Sequence, residues 1–325
     1  MEKSQRTDIV PISSIHELLN QYLSENLLRP ASVHNYRSVV AMMTRECFDG
    51  LDISLTEVTP EKLAAWRTTV LERASPATWN NYRRHLSALF NYAVMLGVLP
   101  QNPLKRVRSA PSTRKKKRTI APQELTNLIK LLDQHTEESH SNPGLLFPHW
   151  FWRAAIKTLY YTGIRRRQLV NLNWQDIDLT TRVIHLRASG SKTHREWQIP
   201  MADELVADLE EVLRHTLAHS GNQSQEDILG RQVFQISLFH PRYKHGLMTE
   251  AQLSGFFRRL SEHSGVRISS HRMRHTLATE LMRGENPDIK GVQSLLGHTD
   301  IRVTLGYIET DVSQLRHLMG RLRPI

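Results

Sequence analysis

The stretch SSHRMRHTLATEL at residues 269–281 concentrates basic and titratable side chains at the start of a predicted helix. At about 100° per residue, His271 and Arg274 share one sector of that helix with apolar residues, so both should face a protein interior. Ser269 or Ser270 can cap the helix, whose first amide N–H groups then point outward and attract an anion. Because a cation in a protein interior is costly unless a negative group meets it, the segment requires a carboxylate or a phosphate nearby.

Three other segments carry side chains of the same kinds: TGIRRRQL at 162–169, SGSKTHREWQIP at 189–200 and LLGHTDIRVTLGY at 295–307. Guanidinium groups can stabilise the charge that develops on a phosphodiester, and lysine and histidine can transfer protons. A tyrosine phenol can act as nucleophile and then as leaving group, so that rejoining needs no ATP. Together the four segments supply six candidate side chains: Arg165, Lys192, His271, Arg274, His298 and Tyr307.

In this order, the segments resemble the motifs of the tyrosine recombinases, or phage integrases, with a Xer-like plan. The T-G-x-R pattern of that family selects Arg165, and counting back from Pro200 along a predicted hairpin selects Lys192. Two positions depart from the usual pattern, since Gln168 stands where the family commonly has Glu and Trp197 stands where a basic residue is common. We expect these two residues to affect local packing, because neither position is catalytic in the family.

The remaining motifs contain the other candidates. His271 and Arg274 form the H-x-x-R box, the LLGH box contains His298, and Tyr307 follows nine positions later as the expected nucleophile. The resemblance covers about residues 12 to 310. Any one motif is weak, but the four in order are specific.

The resemblance implies a role for each side chain. Arg165 and Arg274 are expected to clamp the scissile phosphate, and Lys192 to protonate the departing 5′-oxygen. His271 is expected to assist proton transfer at the tyrosine, and His298 to hydrogen-bond a phosphate oxygen. The resemblance thus implies a site-specific DNA recombinase that acts through a 3′-phosphotyrosyl intermediate and a Holliday junction, with no metal, cofactor or ATP.

The helix predicted at residues 300 to 309 carries the tyrosine. Its apolar positions Ile301, Leu305 and Ile308 define a stripe that should be buried, and Tyr307 lies roughly 120° from Ile301. We therefore expect Tyr307 to lie outside the core. The preceding helix is expected to end at Gly297.

Composition restricts the class of protein. The 325 residues are enough for two domains, and 39% hydrophobic with 23% charged residues is typical of a soluble fold. The net charge of +11 favours nucleic acid as the partner. Cys47 is the single cysteine, so an intrachain disulfide is excluded, and without a signal peptide or a membrane-spanning apolar run we expect a cytoplasmic protein that does not contact membranes.

Apolar periodicity and cap signals predict a mainly α (α+β) protein. An N-terminal helical bundle is predicted at residues 12–107, with helices near 14–26, 31–46, 60–74 and 76–97, and the resemblance implies that it is the core-binding domain. A basic linker at 108–118 leads to a mixed, mostly helical catalytic domain at 119–325, in which RVIHLRA and REWQIP form a small antiparallel sheet. A polar loop is predicted at 219–227, and helices near 121–135, 148–161, 202–217, 249–264, 270–284, 288–296 and 300–309.

Basic side chains in and after the N-terminal bundle are the candidates for gripping DNA. The fourth helix pairs basic with amide side chains suited to phosphates and base edges, and KRVRSAPSTRKKKR at 105–118 has no acidic residue. A solvated helix face and an unbound tether are the alternative interpretations. The candidates are Arg83, Arg84, Lys105, Arg106, Arg108, Arg114, Lys115, Lys116, Lys117 and Arg118.

Two other functions stay open at this point. His271 and His275 have the i, i+4 spacing of zinc ligands, as in a metal-dependent nuclease, although no Glu follows His271 and no acidic cluster is near. A non-cleaving, sequence-specific DNA-binding regulator would need only the positive charge and the bundle.

The resemblance also implies partners. These are double-stranded DNA recombination sites and a homotetramer assembled on them, with a monomer in free solution as one option. An accessory DNA-bending protein or a partner recombinase is left open, and no separate arm-binding domain is expected. An apolar stripe near the C-terminus either packs in cis or docks on a neighbouring protomer, and it consists of Leu315, Leu318, Met319 and Leu322.

Overall fold

The chain forms two units, residues 1–115 and 116–325, and each unit encloses its own hydrophobic core. The computed structural model describes residues 12–111, 118–134, 144, 146–188, 196–221, 225–243, 246–283 and 287–308. No helix in these ranges is long and apolar enough to cross a membrane.

The first unit is a helical bundle, as predicted. Ser14, Thr59 and Ser75 each accept a hydrogen bond from a backbone N–H of the helix that follows, and proline opens three of the four helices. These helices are α1 (Ile15–Glu25), α2 (Pro30–Cys47), α3 (Pro60–Arg73) and α4 (Pro76–Met95). Their apolar faces meet in a core that includes Leu18, Met43, Leu63, Trp79, Leu89 and Phe90.

The chain that leaves the bundle stays packed against α4 as far as Ala110. Asn80 exchanges two hydrogen bonds with the Ala110 backbone, at 2.9 and 2.8 Å, and Arg83 donates to the Val107 carbonyl at 2.7 Å. The Trp79 indole donates to the Arg108 carbonyl at 3.4 Å. The first residues of the predicted linker are thus held by α4.

The second unit contains an antiparallel sheet in the order β1-β2-β3, formed by Ile177–Asp178, Val183–Leu186 and Trp197–Pro200. Ile184 pairs with Ile199 across the predicted β2-β3 hairpin, and both side chains are fully buried. The helices are α5 (Pro122–Gln134), α6 (His149–Thr162), α7 (Arg166–Val170), α8 (Asp203–His219), α9 (Gln225–Leu229), α10 (Glu250–Ser264), α11 (Ser270–Leu281), α12 (Ile289–Leu296) and α13 (Ile301–Leu305).

Helix α6 lies at the centre of this unit and contacts α5, α8 and α11. Trp152 is fully buried on α6 and stacks on Phe256 of α10, with 3.9 Å between ring centroids. Helix α11, which carries the H-x-x-R box, also holds the first described residues of the unit. Thr276 accepts from the Ile120 amide at 2.9 Å, and Arg272 donates to the Thr119 carbonyl at 2.6 Å.

Some predicted elements were wrong. Helix α9 begins inside the predicted polar loop at 219–227, and the helix predicted at 300 to 309 ends at Leu305. The short elements α7 and β1 were not predicted. Five residues or fewer give too little periodicity to detect, and such elements are stabilised mainly by tertiary packing.

Candidate active site

The site begins where α6 ends. Gly163 caps α6 with φ +61°, and a Cβ on it would lie 2.7 Å from the Leu296 side chain and 3.0 Å from that of Leu277. Only glycine allows this approach, which brings the turn after α6 against α11 and α12. Arg165 then caps α7, and its backbone N–H donates to the Gln168 side-chain oxygen at 2.9 Å.

The Arg165 guanidinium points towards the place where the turn after α6 meets α11 and α12. One terminal nitrogen, Nη1, is buried and has no hydrogen-bond partner among the described residues. Burial lowers the pKa of Arg165, and the nearby Tyr307 phenol opposes this effect. The next arginine is turned elsewhere, since Arg166 binds Glu250 at 2.9 Å and Ser254 at 2.6 Å. The geometry therefore places Arg165, rather than Arg166, beside the tyrosine.

Arg274 is 4% exposed and joins three parts of the chain. Its guanidinium donates to the carbonyl of Gly163 and, at 2.7 Å, to that of Leu296. Burial and the adjacent charge of Arg165 lower the pKa of Arg274 to about 10. No carboxylate forms an ion pair with either arginine within the described ranges. Two guanidinium groups therefore lie near one another with only neutral partners.

His298 follows Gly297, which ends α12 with φ +60° as the sequence predicts. The imidazole is buried, with Nε2 2.8 Å from the Arg274 guanidinium and Nδ1 2.9 Å from the Thr304 hydroxyl. A guanidinium only donates, so Nε2 accepts and the proton of the neutral ring lies on Nδ1, facing Thr304. Arg274 therefore sets the tautomer of His298, and Arg274 and Thr304 together fix the orientation of its ring.

Tyr307 is 4% exposed, so the expectation that it lies outside the core is wrong. Its ring is parallel to that of His298, at 5.9 Å between centroids, and lies 5.1 Å from the ring of His275. Burial raises the pKa of the Tyr307 phenol, while the charges of Arg274 and Arg165 and a hydrogen bond with Arg274 lower it. The free protein thus holds a neutral phenol between two cations and two imidazoles.

The predicted buried stripe is itself exposed. Ile301, Leu305 and Ile308 are 41–43% exposed, because α13 ends at Leu305 and the chain then turns inward at Gly306. A stripe deduced for a helix extending to 309 does not apply to a helix that stops earlier.

The two histidines of α11 differ in their surroundings. His271 is exposed, whereas His275 is 7% exposed, and their rings lie 4.4 Å apart. His275 thus lies between His271 and Tyr307, a place for which the sequence analysis named no residue beyond the zinc alternative. The i, i+4 spacing was the available signal, since it puts both rings on one helix face.

No group of three or more His, Cys, Asp or Glu side chains converges into a metal site within the described ranges.

Lys192 lies outside the described residues, as do Arg114, Lys115, Lys116 and Lys117 of the basic segment and the apolar stripe Leu315, Leu318, Met319 and Leu322.

The other candidate DNA contacts divide into two kinds. Arg83 is used within the first unit, on the carbonyls of Val107 and Leu104. Arg84 is exposed and donates to Asn81 at 2.6 Å. The remaining candidates are exposed, namely Lys105, Arg106, Arg108 and Arg118.

Comparison with known sequences gives a consistent result. The profile of the phage integrase family matches residues 113–314. A putative tyrosine recombinase XerC from Pseudomonas syringae is 35% identical over 94% of this chain and 64% of that protein. A protein of the same description from Pseudomonas aeruginosa is 30% identical over 93% of this chain and 70% of that protein. The chain therefore spans about two thirds of the length of these relatives.

Solved structures share the fold. The Tn1549 transposon integrase in complex with a circular intermediate DNA superposes with a TM-score of 0.71 at 20% identity, covering 96% of this chain and 100% of that chain. A lambda integrase dimer bound to a COC' core site gives a TM-score of 0.66 at 22% identity, covering 91% of this chain and 95% of that chain. Because the family profile matches most of the sequence and a relative is 30% identical over most of its own length, the chain belongs to the phage integrase family of tyrosine recombinases, as its motifs indicated.

Proposed function

We propose that this protein is a site-specific DNA recombinase. Tyr307 attacks a DNA phosphodiester, a 3′-phosphotyrosyl link forms as the 5′-oxygen departs, and a second strand end later displaces the tyrosine. The observation that carries this proposal is a pair of guanidinium groups near the phenol, that of Arg274 buried and that of Arg165 partly buried, which have no carboxylate partner among the described residues.

A phosphate is the ligand that such a pair accepts. The charge on its non-bridging oxygens grows in the transition state, and guanidinium forks meet two oxygens at once. Arg165 offers an unpaired buried nitrogen, and Arg274 is held in place by the carbonyls of Gly163 and Leu296. These contacts support a clamp in which Arg274 is held in place before DNA binds, which would limit the reorganisation needed during the reaction.

Proton transfer can be assigned around the phenol. The Tyr307 proton leaves towards the imidazoles of α11, where His275 touches the ring and His271 reaches solvent. The His298 ring is parallel to that of Tyr307 and directs its Nε2 at Arg274, so His298 is suited to orient that guanidinium and is proposed to hydrogen-bond a phosphate oxygen when DNA is bound. Lys192, which lies between β2 and β3 in the sequence, is proposed to protonate the departing 5′-oxygen.

The remaining surface is proposed to hold the duplex. The first unit and the exposed Lys105, Arg106, Arg108 and Arg118 are proposed to bind the DNA backbone, with release of counterions. A solved lambda integrase structure is a tetramer bound to a Holliday junction. We propose the same assembly for this chain, formed on two DNA sites.

The test is covalent capture. Duplexes that the protein selects from a random-sequence pool are nicked at successive positions, incubated with the protein in EDTA and resolved on a denaturing gel. Wild type should form a protein–DNA adduct, and Tyr307→Phe should bind the same duplexes without forming it. An adduct formed by Tyr307→Phe would reject the nucleophile, and dependence on a divalent metal would favour a metal nuclease.

A further inference from the structure

The C-terminal end of α12 has an unusual set of hydrogen-bond partners. The last four carbonyls of a helix lack partners within the helix and need them from elsewhere. Backbone N–H groups of Gly297 and His298 satisfy the Ser294 and Gln293 carbonyls. Side chains take the other two, since Arg274 donates to the Leu296 carbonyl at 2.7 Å and Trp197 donates to the Leu295 carbonyl at 3.2 Å.

The Trp197 ring also packs against the turn that follows α12. A Cβ built on Gly297 would lie 2.6 Å from indole Cζ2 and 2.7 Å from Cη2. The half-buried ring therefore packs closely against Gly297, directly before His298. A side chain on β3 thus meets the backbone on both sides of the Leu296 carbonyl that anchors Arg274.

We infer that Trp197 is a positioning residue of the active site, which fixes the end of α12 from β3 and thereby places His298 and the carbonyl on which Arg274 rests. This inference rests on the proposed function. It goes beyond the packing role expected from the sequence, because the indole N–H and the ring act on the one turn that joins the arginine to the histidine.

The first test removes only the indole donor. Trp197→Phe keeps a ring beside Gly297 but leaves the Leu295 carbonyl without a partner, so adduct formation at saturating nicked DNA should slow about tenfold, with DNA affinity unchanged. Trp174→Phe is the matched control. The Trp174 indole is 3% exposed and has no hydrogen-bond partner within the described ranges, so its N–H can be removed with less than a twofold effect.

A second pair tests the ring contact and stays informative if Trp197→Phe folds poorly. Gly297→Ala should slow adduct formation about a hundredfold, because the new Cβ meets the indole and displaces the turn. Gly265→Ala imposes a similar backbone strain at the end of α10, where φ is +71° and no atom lies within 4 Å of the added Cβ. It should leave the rate unchanged.

Combining Trp197→Phe with His298→Ala tests whether Trp197 acts on the reaction through His298. In a His298→Ala background, Trp197→Phe should cost less than in the wild type, about threefold, since the part of its effect that acts through His298 is lost and the part that acts through Arg274 remains. Equal losses in both backgrounds, a rate of Trp197→Phe equal to that of Trp174→Phe, or equal rates for the two glycine variants would each overturn the inference. Failure of the wild type to form any adduct would instead overturn the proposed function.

Discussion

Arg165 and Arg274 repel one another, although Arg274 is buried and Arg165 is partly buried. Carbonyl dipoles from Gly163 and Leu296 hold the second guanidinium, while one nitrogen of the first has no partner at all among the described residues. Such an arrangement costs stability in the free protein and gains from an anion placed between the two groups. This cost in the stability of the free protein is consistent with a site that is arranged to bind the transition state rather than to stabilise the fold.

The pH dependence of cleavage should report these residues. Burial raises the pKa of Tyr307, so the reactive phenolate becomes more abundant as pH increases from about 7 to 9 and the cleavage rate should rise. Burial and the charge of Arg165 lower the pKa of Arg274, and its charged form is needed, so kcat/KM should fall at strongly alkaline pH. At saturating DNA the falling limb should move to higher pH, because a bound phosphate stabilises the charged guanidinium.

Adduct formation on a nicked duplex, measured at limiting and at saturating DNA, checks this profile. DNA binding followed over the same pH range is the control. A rate that falls steadily between about pH 7 and 9 would contradict the assignment of a protonated phenol in the resting site.

At the scale of elements, the short helix α13 determines where the nucleophile lies. Asp300 caps its start, Thr304 is fully buried beneath it, and Gly306 ends it, so that the backbone turns Tyr307 towards His298 instead of continuing the helix. The apolar side chains of α13 are consequently left exposed.

Thr304→Val should break the hydrogen bond that joins α13 to His298. The substitution keeps the volume but removes the acceptor for the His298 Nδ1–H, which should destabilise the fold by about 1–3 kcal/mol and slow adduct formation about tenfold. Thermal unfolding and the gel assay measure the two effects. Thr216→Val is the matched control, since the equally buried Thr216 hydroxyl donates only to the Val212 carbonyl of its own helix. Equal adduct rates for the two variants would reject the role of Thr304.

Sequence patterns located most elements because their signals are local. The caps at Thr59, Ser75 and Ser269 and the glycine after α12 were all recognisable in advance. The burial of Tyr307 was not recognisable, because it depends on rings that lie 9 and 32 positions away in the chain. Trp197 was seen only as a departure from a family pattern, since its hydrogen bond crosses 98 positions. Local sequence patterns therefore predict the secondary-structure elements and the candidate site residues. The role of each side chain depends on tertiary contacts that these patterns do not contain.

At the scale of the molecule, each unit holds its own end of the connecting chain. Ala110 is tied to α4 by Asn80, and Ile120 is tied to α11 by Thr276. Folding of either unit therefore does not require the covalent connection.

Expressed separately, residues 1–115 and 116–325 should each fold with a cooperative thermal transition, measured by circular dichroism, because each contains a complete core. The matched control is a division between α3 and α4, into residues 1–74 and 75–325, which splits one core and should leave the first piece unfolded. Cooperative unfolding of the 1–74 piece, or its absence in 1–115, would contradict this account.

The double anchoring at Ala110 and Ile120 also bears on affinity. In the proposed complex, a short tether between these anchors would keep the second unit at a millimolar effective concentration over a duplex bound by the first. The two proposed binding contributions would then multiply into a long residence time on DNA, and cutting the backbone between the anchors would abolish this avidity.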